Sequence, residues 1–380
     1  MNKKKLSPRA LQVAETIDKF FKELPTEEDI RKNYFKAENL LSLLNNIKRI
    51  KKELETDSFV VIICGGLKSG KSTLINLLCH KEVSPTRLGR ETTVRPCIFS
   101  RGETSKVLLF YGRPKDKTHK KNLFHAIIDY VKGIVDEKEL AKEGLEIEED
   151  NISKAQGWLT KDSIPGKRSP IFINIQIAEK ELKGEYNLLK EGILLVDTPG
   201  LDGITAGVGG VKKDGEEDLD IDWLVERVDL MLLLQSTVSP LNESGIKFVG
   251  KLYKNLNNPP VFLVHNEFSL KCWRKDYKEI KSFTKVDEDS IETTRRLLKQ
   301  VIKEDVEYFR VNLGMAEDGF EYEKEELKNQ SAFLTFEKEL FNFIVKNRQH
   351  IHEDNVWKRL RKLKSENLSL TGKDKEDTFI

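Results

Sequence analysis

The sequence predicts an α/β fold, a mainly parallel sheet with helices on both faces, preceded and followed by further helices. Three observations carry this expectation. Short apolar runs recur at residues 59–64, 107–111, 171–177, 193–196, 230–234 and 261–264, with helical patterns between most of them. Strands that read as near-continuous apolar runs belong to sheets covered on both faces. A glycine-rich turn follows the first run and opens a helix, and both ends of the chain show apolar residues at helical spacing.

At the start, Leu11, Ala14, Ile17, Phe21 and Leu24 share one face of a helix over residues 8–24. Pro25 ends it, and Thr26 followed by Glu28 marks a new start. The second helix runs to Leu54, with Ile30, Tyr34, Ala37, Leu41, Leu44, Ile47 and Leu54 on one side. After Gln330 the chain returns to helix, with Phe333, Phe336, Leu340, Phe341, Ile344, Ile351, Val356, Leu360 and Leu363 on apolar faces and a polar, frayed end. Between these ends, the acid-rich stretch 136–150 reads as a solvated loop or helix end, and the glycine-rich stretch 202–218 as a mobile loop. His350 and His352 read as surface residues of a polar helix.

Composition sets limits. Lys plus Arg is 65 and Asp plus Glu is 63 in 380 residues, a net charge of +2 that gives no push toward nucleic acid. The charged fraction of 34% against 38% hydrophobic fits a soluble α/β domain with long solvated helices. Cys64, Cys79, Cys97 and Cys272 lack metal-ligand spacing, which argues against zinc, and read as reduced thiols of a cytosolic protein. No apolar stretch follows Met1, so a secretory signal is not expected, and the longest apolar runs are far too short for a membrane span.

The turn itself, Gly65-Gly66-Leu67-Lys68-Ser69-Gly70-Lys71-Ser72, fits G-x-x-x-x-G-K-[ST], with an apolar strand before it and a helix opening at Thr73. This is the phosphate loop of P-loop nucleoside-triphosphate-binding folds. Glycines let backbone N–H groups wrap phosphates, and the helix N-terminus adds a favourable dipole. Lys71 is placed to reach the β- and γ-phosphates, and the Ser72 hydroxyl to ligate Mg²⁺. Further on, an apolar run ends in Asp197-Thr198-Pro199-Gly200. Asp197 is placed to hold a magnesium-bound water at the carboxyl end of its strand, and the Gly200 amide to contact the γ-phosphate. Leu201 follows where Ras-type enzymes carry a water-orienting glutamine.

The loop with Ser72-Thr73-Leu74-Ile75-Asn76, the segment Glu91-Thr92-Thr93-Val94-Arg95-Pro96, the run Asp197–Leu201 and the stretch Ser239-Pro240-Leu241-Asn242-Glu243-Ser244 together resemble the dynamin superfamily, most of all its bacterial members. The resemblance spans residues 59–345. It implies a GTPase hydrolysing GTP to GDP and phosphate with Mg²⁺, activated by homodimerisation across the nucleotide face. It makes Thr93 the switch threonine that ligates Mg²⁺, with Thr92 as fallback. It implies a GTPase domain over 58–330, flanked by helices over 1–57 and 331–380 that join as a coiled-coil-like bundle or neck and move with nucleotide state. A cytoplasmic protein is expected, peripheral at a membrane or bound to a protein partner. The basic stretch 271–285 is the candidate contact surface, and no nucleic acid is expected.

Two departures stand out. Base reading in the family uses N/T-K-x-D, and here Asn266 is followed by Glu267 and, at the aspartate position, Ser269. Guanine preference is therefore inherited from the resemblance, and Glu267 is a substitute acceptor at most. Lys68 stands where the family has serine or asparagine helping to hold a monovalent cation; it reads either as a built-in positive charge for the transition state or as a solvated loop lysine. Two other function classes stay open: a nucleotide-binding scaffold with little turnover, and an ATP-using P-loop protein.

Overall fold

The structure, a computed structural model of the chain, describes residue 15 and residues 37–54, 56, 59–66, 68–84, 96–112, 117–152, 168–198, 227–237, 240–267, 280–302 and 306–367. The expected first helix, residues 8–24, lies almost wholly outside the described residues.

The described strands are β1 (Val60–Gly65), β2 (Cys97–Gly102), β3 (Lys106–Tyr111), β4 (Glu146–Asp150), β5 (Phe172–Ala178), β6 (Leu194–Asp197), β7 (Leu230–Ser236), β8 (Val261–Asn266) and β9 (Glu307–Val311). They form one sheet in the order β4-β3-β5-β2-β6-β1-β7-β8-β9. From β6 to β9 every pairing is parallel, as is β2 with β5. The pairs β2–β6, β3–β4 and β3–β5 are antiparallel, so the sheet is mixed and mostly parallel.

The helices are α1 (Ala37–Leu54), α2 (Lys71–Cys79), α3 (Lys117–Val131), α4 (Glu137–Lys142), α5 (Glu243–Asn255), α6 (Ile280–Val301), α7 (Leu313–Glu321), α8 (Glu325–Gln330) and α9 (Phe333–Asn367). Strand alternation divides the core. Val61, Ile63, Leu195, Leu232 and Val264 face α2, α7 and the first half of α9, which inserts Phe333, Phe336, Leu340 and Ile344. Val60, Ile62, Val196, Leu233 and Leu263 face α3 and α5, with Leu298 of α6 closing that side. The expected division at residue 330 thus falls just before a helix whose first half shares the sheet's core.

Of the two readings of the acid-rich stretch 136–150, a helix end holds for its first part and a solvated loop does not hold. Asp136 caps α4 through a reciprocal capping box with Glu139, and residues 146–150 form the edge strand β4. Glu146 and Glu149 point to solvent on that strand, pairing with Arg168 and Lys106. Charge on an exposed edge discourages pairing with another chain, and it also hides the strand from a search for apolar runs.

At the amino ends of β1 and β7, α1 and the second half of α9 meet. α1 buries Ile47, Ile50 and Leu54 and packs against α9. Its penultimate residue, Glu53, is 1% exposed. The carboxylate takes Lys132, the residue after α3, at 3.0 Å, Arg359 of α9 at 2.6 Å, and Arg227. Arg227 also reaches Asp129 at 3.0 Å. Beside them Asp229 accepts from the Val60 amide at 2.9 Å and from Asn355 at 2.8 Å. His352, expected at the surface, is buried here with Nε2 3.2 Å from the Glu53 carbonyl, because α9 turns that face onto the end of α1. His350, one residue apart from it on the helix, is exposed and pairs with Asp354.

Burial alone would push the Glu53 carboxyl up, yet Arg227, Arg359 and Lys132 hold it well below the ordinary carboxylate range. Asp229 is also held low against its burial, by His352 and the Val60 amide. Asp129 goes the other way, pushed up by burial with Arg227 only partly opposing. Removing one partner of such a cluster strands the rest, so Glu53→Ala should cost about 3–5 kcal/mol in urea unfolding. The lowered carboxyls of Glu53 and Asp229 stabilise the fold fully above their unfolded values, about 4.3 and 3.9. That stabilisation is lost as pH falls through the lower folded-state values. The stability gap between wild type and Glu53→Gln, measured at successive pH values, should therefore narrow on acidification below that range.

Candidate functional site

β1 ends at Gly65 in the middle of the sheet, between β6 and β7, and the chain turns there into the phosphate loop. The Ser69 amide donates to the Gly66 carbonyl at 3.3 Å, which places Lys68 at the apex of a tight turn with φ 62. Gly70 precedes α2 with φ 103, a left-handed backbone that favours glycine. Space demands glycine there as well: a Cβ would stand 2.7 Å from Asn266 Nδ2 and 3.0 Å from Leu313 Cδ1. At Gly65 a Cβ would meet the Leu234 carbonyl at 2.6 Å.

Lys71 and Ser72 open α2 and are buried. Lys71 Nζ donates to the Gly65 and Gly66 carbonyls at 2.9 and 3.0 Å. Asp197 ends β6 directly beside β1, in register with Ile63, and is fully buried. The next residue, Thr198, donates its hydroxyl to the Ile63 carbonyl at 3.0 Å. Beneath the loop, burial pushes the Cys64 thiol up to about 12; a Thr198 hydrogen bond and Lys71 oppose the rise and Asp197 adds to it, so these groups share one electrostatic neighbourhood.

Asn266 at the end of β8 is a staple. Its Nδ2 donates to the Ser69 carbonyl at 3.1 Å, and its Oδ1 accepts from the Leu313 amide, also at 3.1 Å. One buried side chain thus ties the phosphate loop to the start of α7. Glu267, weighed above as a base acceptor, is engaged by Arg310 of β9. Lys68 is exposed.

Of the residues singled out in the sequence, Gly65, Gly66, Lys68, Ser69, Gly70, Lys71, Ser72, Thr73, Asp197 and Asn266 come together at the carboxyl ends of β1, β6 and β8. Leu67, Thr92, Thr93, Gly200, Leu201 and Ser269 lie outside the described residues, as do residues 202–218 and the side chains of 271–285. In the 239–244 stretch Asn242 caps α5 by accepting from the Gly245 amide at 2.8 Å, and Leu241 is buried.

Sequence reasoning gave no role to Asn76, which faces out of α2 toward the segment leading to Thr93. Its Oδ1 accepts from the Val83 and Ser84 amides at 2.9 and 2.7 Å, and its Nδ2 donates to the Ser84 carbonyl at 2.7 Å. The signal was an asparagine inside the apolar run of residues 74–79.

With this geometry in place, comparison with known proteins settles the family. The dynamin family model matches residues 61–268, more than half of the chain. The chain belongs to the dynamin family. Among relatives, it is 24% identical over 245 residues to the transmembrane GTPase fzo-1 of Caenorhabditis elegans, covering 63% of this chain and 27% of that protein. It is 23% identical over 330 residues to dynamin-like protein 1 of Campylobacter jejuni, covering 85% of this chain and 42% of that one. The chain therefore spans well under two thirds of these relatives. Among solved structures, one chain of an oligomerised bacterial dynamin pair aligns with a TM-score of 0.48 at 18% identity, covering 97% of this chain and 57% of that one.

This dynamin-family loop has a testable dependence on its staple. Asn266→Ala leaves two buried backbone groups without their side-chain partner, worth about 1–3 kcal/mol each. Fluorescent-nucleotide titration should show affinity reduced by about tenfold or more. Gly70→Ala should abolish binding while circular dichroism still reports a folded sheet.

Proposed function

We propose that this chain is a dynamin-like GTPase that binds GTP with Mg²⁺ at the phosphate loop and hydrolyses it to GDP and phosphate. The observation that supports this most is the meeting of Lys71, Ser72 and Asp197 at the carboxyl ends of adjacent strands, with the loop stapled by Asn266. Lys71 and the loop amides offset charge on the β- and γ-phosphates. The Ser72 hydroxyl and the buried Asp197 carboxylate are hard oxygen donors that suit Mg²⁺, and Thr93 joins them by the family motif. Held by these oxygens, Mg²⁺ would supply positive charge against the phosphates. By the family motif, the Gly200 amide would contact the γ-phosphate. Lys68, exposed at the apex of the loop, supplies positive charge to the transition state.

Hydrolysis is completed by dimerisation across the nucleotide face. The helices of 1–57 and 331–380 move with nucleotide state as a bundle, a reading supported by the packing of α1 on α9. The site of action is cytoplasmic, peripheral to a membrane or on a protein partner. No helix among the described residues is long and apolar enough to cross a membrane.

A second reading, a nucleotide-binding switch with little turnover or relaxed base choice, is favoured by the base end of the site. Asn266 is spent on the loop and α7, and Glu267 on Arg310. Turnover of GTP and ATP against protein concentration separates the readings. Hydrolysis of GTP, with a rate per monomer that rises with concentration, is expected. Tight GTP binding without turnover supports the switch, and equal use of ATP overturns the guanine assignment. Lys71→Ala should lower turnover by about a hundredfold or more. Lys68→Ala should lower kcat while nucleotide affinity holds, and unchanged turnover in that variant removes Lys68 from the mechanism.

A further inference from the structure

The phosphate-loop helix is fastened at both ends. α2 spans about 14 Å, from Lys71 at the loop to His80 at its carboxyl cap. His80 takes φ 49 and ψ 33, with its amide donating to the Asn76 and Leu77 carbonyls. A left-handed residue at this position is usually glycine, since a Cβ is disfavoured there. The histidine is kept by its ring. Nε2 lies 2.6 Å from Oε1 of Glu337 on α9, with the two side chains 12% and 2% exposed. The ring meets Phe320 of α7 edge-on at 5.8 Å, and it covers Gly184, where a Cβ would stand 2.5 Å from Nε2.

Glu337 follows Phe336, which sits in the core between α9 and the sheet. A carboxylate this deep requires a hydrogen-bonding partner, and the structure gives it His80. The neighbouring contacts of this end of α2 reach other elements: Lys81 pairs with Glu181, and Asn187 donates to the Cys79 carbonyl at 3.2 Å. The imidazole–carboxylate contact runs from the carboxyl cap of α2 to α9. α9 itself is 35 residues long and carries His352, Asn355 and Arg359 into the Glu53 cluster.

We propose that His80 and Glu337 are positioning residues, a hydrogen-bonded joint that couples the phosphate site to α9. Occupancy at the amino end of α2 is felt at residues 333–345 of α9, and α9 in turn sets how tightly the loop holds nucleotide. Such coupling is reciprocal in binding free energy. The inference rests on the reading of the loop as a nucleotide site.

Hydrogen exchange of the full chain, with and without GDP and Mg²⁺, tests it. In wild type GDP should slow exchange both in residues 66–79 and in residues 333–345. His80→Gly deletes the ring while relieving the left-handed strain, so the fold is retained, as urea unfolding will confirm. This variant should keep loop protection, lose protection of α9, and bind GDP at least about fivefold more weakly. Glu337→Leu should behave the same way, and Glu337→Gln, which keeps an acceptor for the Nε2 proton, should behave as wild type. Protection of α9 that survives in His80→Gly overturns the joint, as does its absence in wild type when the loop is protected, or a Glu337→Gln variant that fails to restore it. No GDP binding by wild type overturns the nucleotide reading itself, and the joint with it.

Discussion

Glu53 is the buried charge on which the arrangement of the chain turns. A lone carboxylate taken out of water costs several kcal/mol even after relaxation, so α1 cannot dock by its apolar stripe alone. It docks because Lys132, Arg227 and Arg359 converge on that carboxylate, while Asp129 and Asp229 balance the cations. The partners come from the end of α3 and the residue after it, from the residues just before β7, and from α9. No one of these elements could be moved without leaving an uncompensated charge on the others. Apolar packing between α1 and α9 would tolerate sliding. The charge cluster does not, and so it fixes the register in which α1 and α9 meet.

That register is anchored to the same strand that carries the phosphate loop. The Val60 amide, first in β1, donates to Asp229, and Gly65, last in β1, begins the loop. One six-residue strand therefore has the helix pair at its amino end and the phosphate site at its carboxyl end. Its residues are fully buried and held in parallel ladders on both sides. A strand in that setting is a stiff spacer, not a spring. Relative motion between the site and the helix pair has to pass around it, through elements that touch both. α9 is such an element, because it packs Phe333 to Ile344 on the sheet and carries His352 to Arg359 into the cluster.

The parts of the fold legible in the sequence are those whose signal is local. β1 is apolar up to its last residue, and β7 and β8 open on apolar runs, because both faces are covered; the loop is legible because its glycines answer to steric needs at fixed spacing. β4 lies in a stretch that reads as a solvated loop or helix end because an edge strand is charged where an inner strand is apolar, and β9, with Arg310 and Glu307 among aromatic residues, is hidden for a similar reason. His352 reads as exposed in the sequence because its neighbours His350, Glu353 and Asp354 make a polar stretch. Its burial depends on the end of α1, some three hundred residues earlier. Glu53 carries no local signal, since it follows Lys51 and Lys52 at the end of a charged helix. Complementarity between distant charges leaves no period in a sequence, so no reading of windows recovers it.

The same distinction runs through the site. Phosphate is bound by main-chain amides whose geometry the loop sequence encodes within a few residues. A base is read by side chains that several elements must bring to one place. Here β8 brings Asn266, and both ends of its amide are committed to the Ser69 carbonyl and the Leu313 amide. β9 brings Arg310, which neutralises Glu267 at the very position where a free acceptor for guanine was sought. A carboxylate held by a guanidinium is a weaker acceptor for a third group, since part of its charge is already met. The staple thus gains loop rigidity at the expense of groups that could face a base. The side chains that end β8 are thus committed within the protein, to the loop, to α7 and to β9.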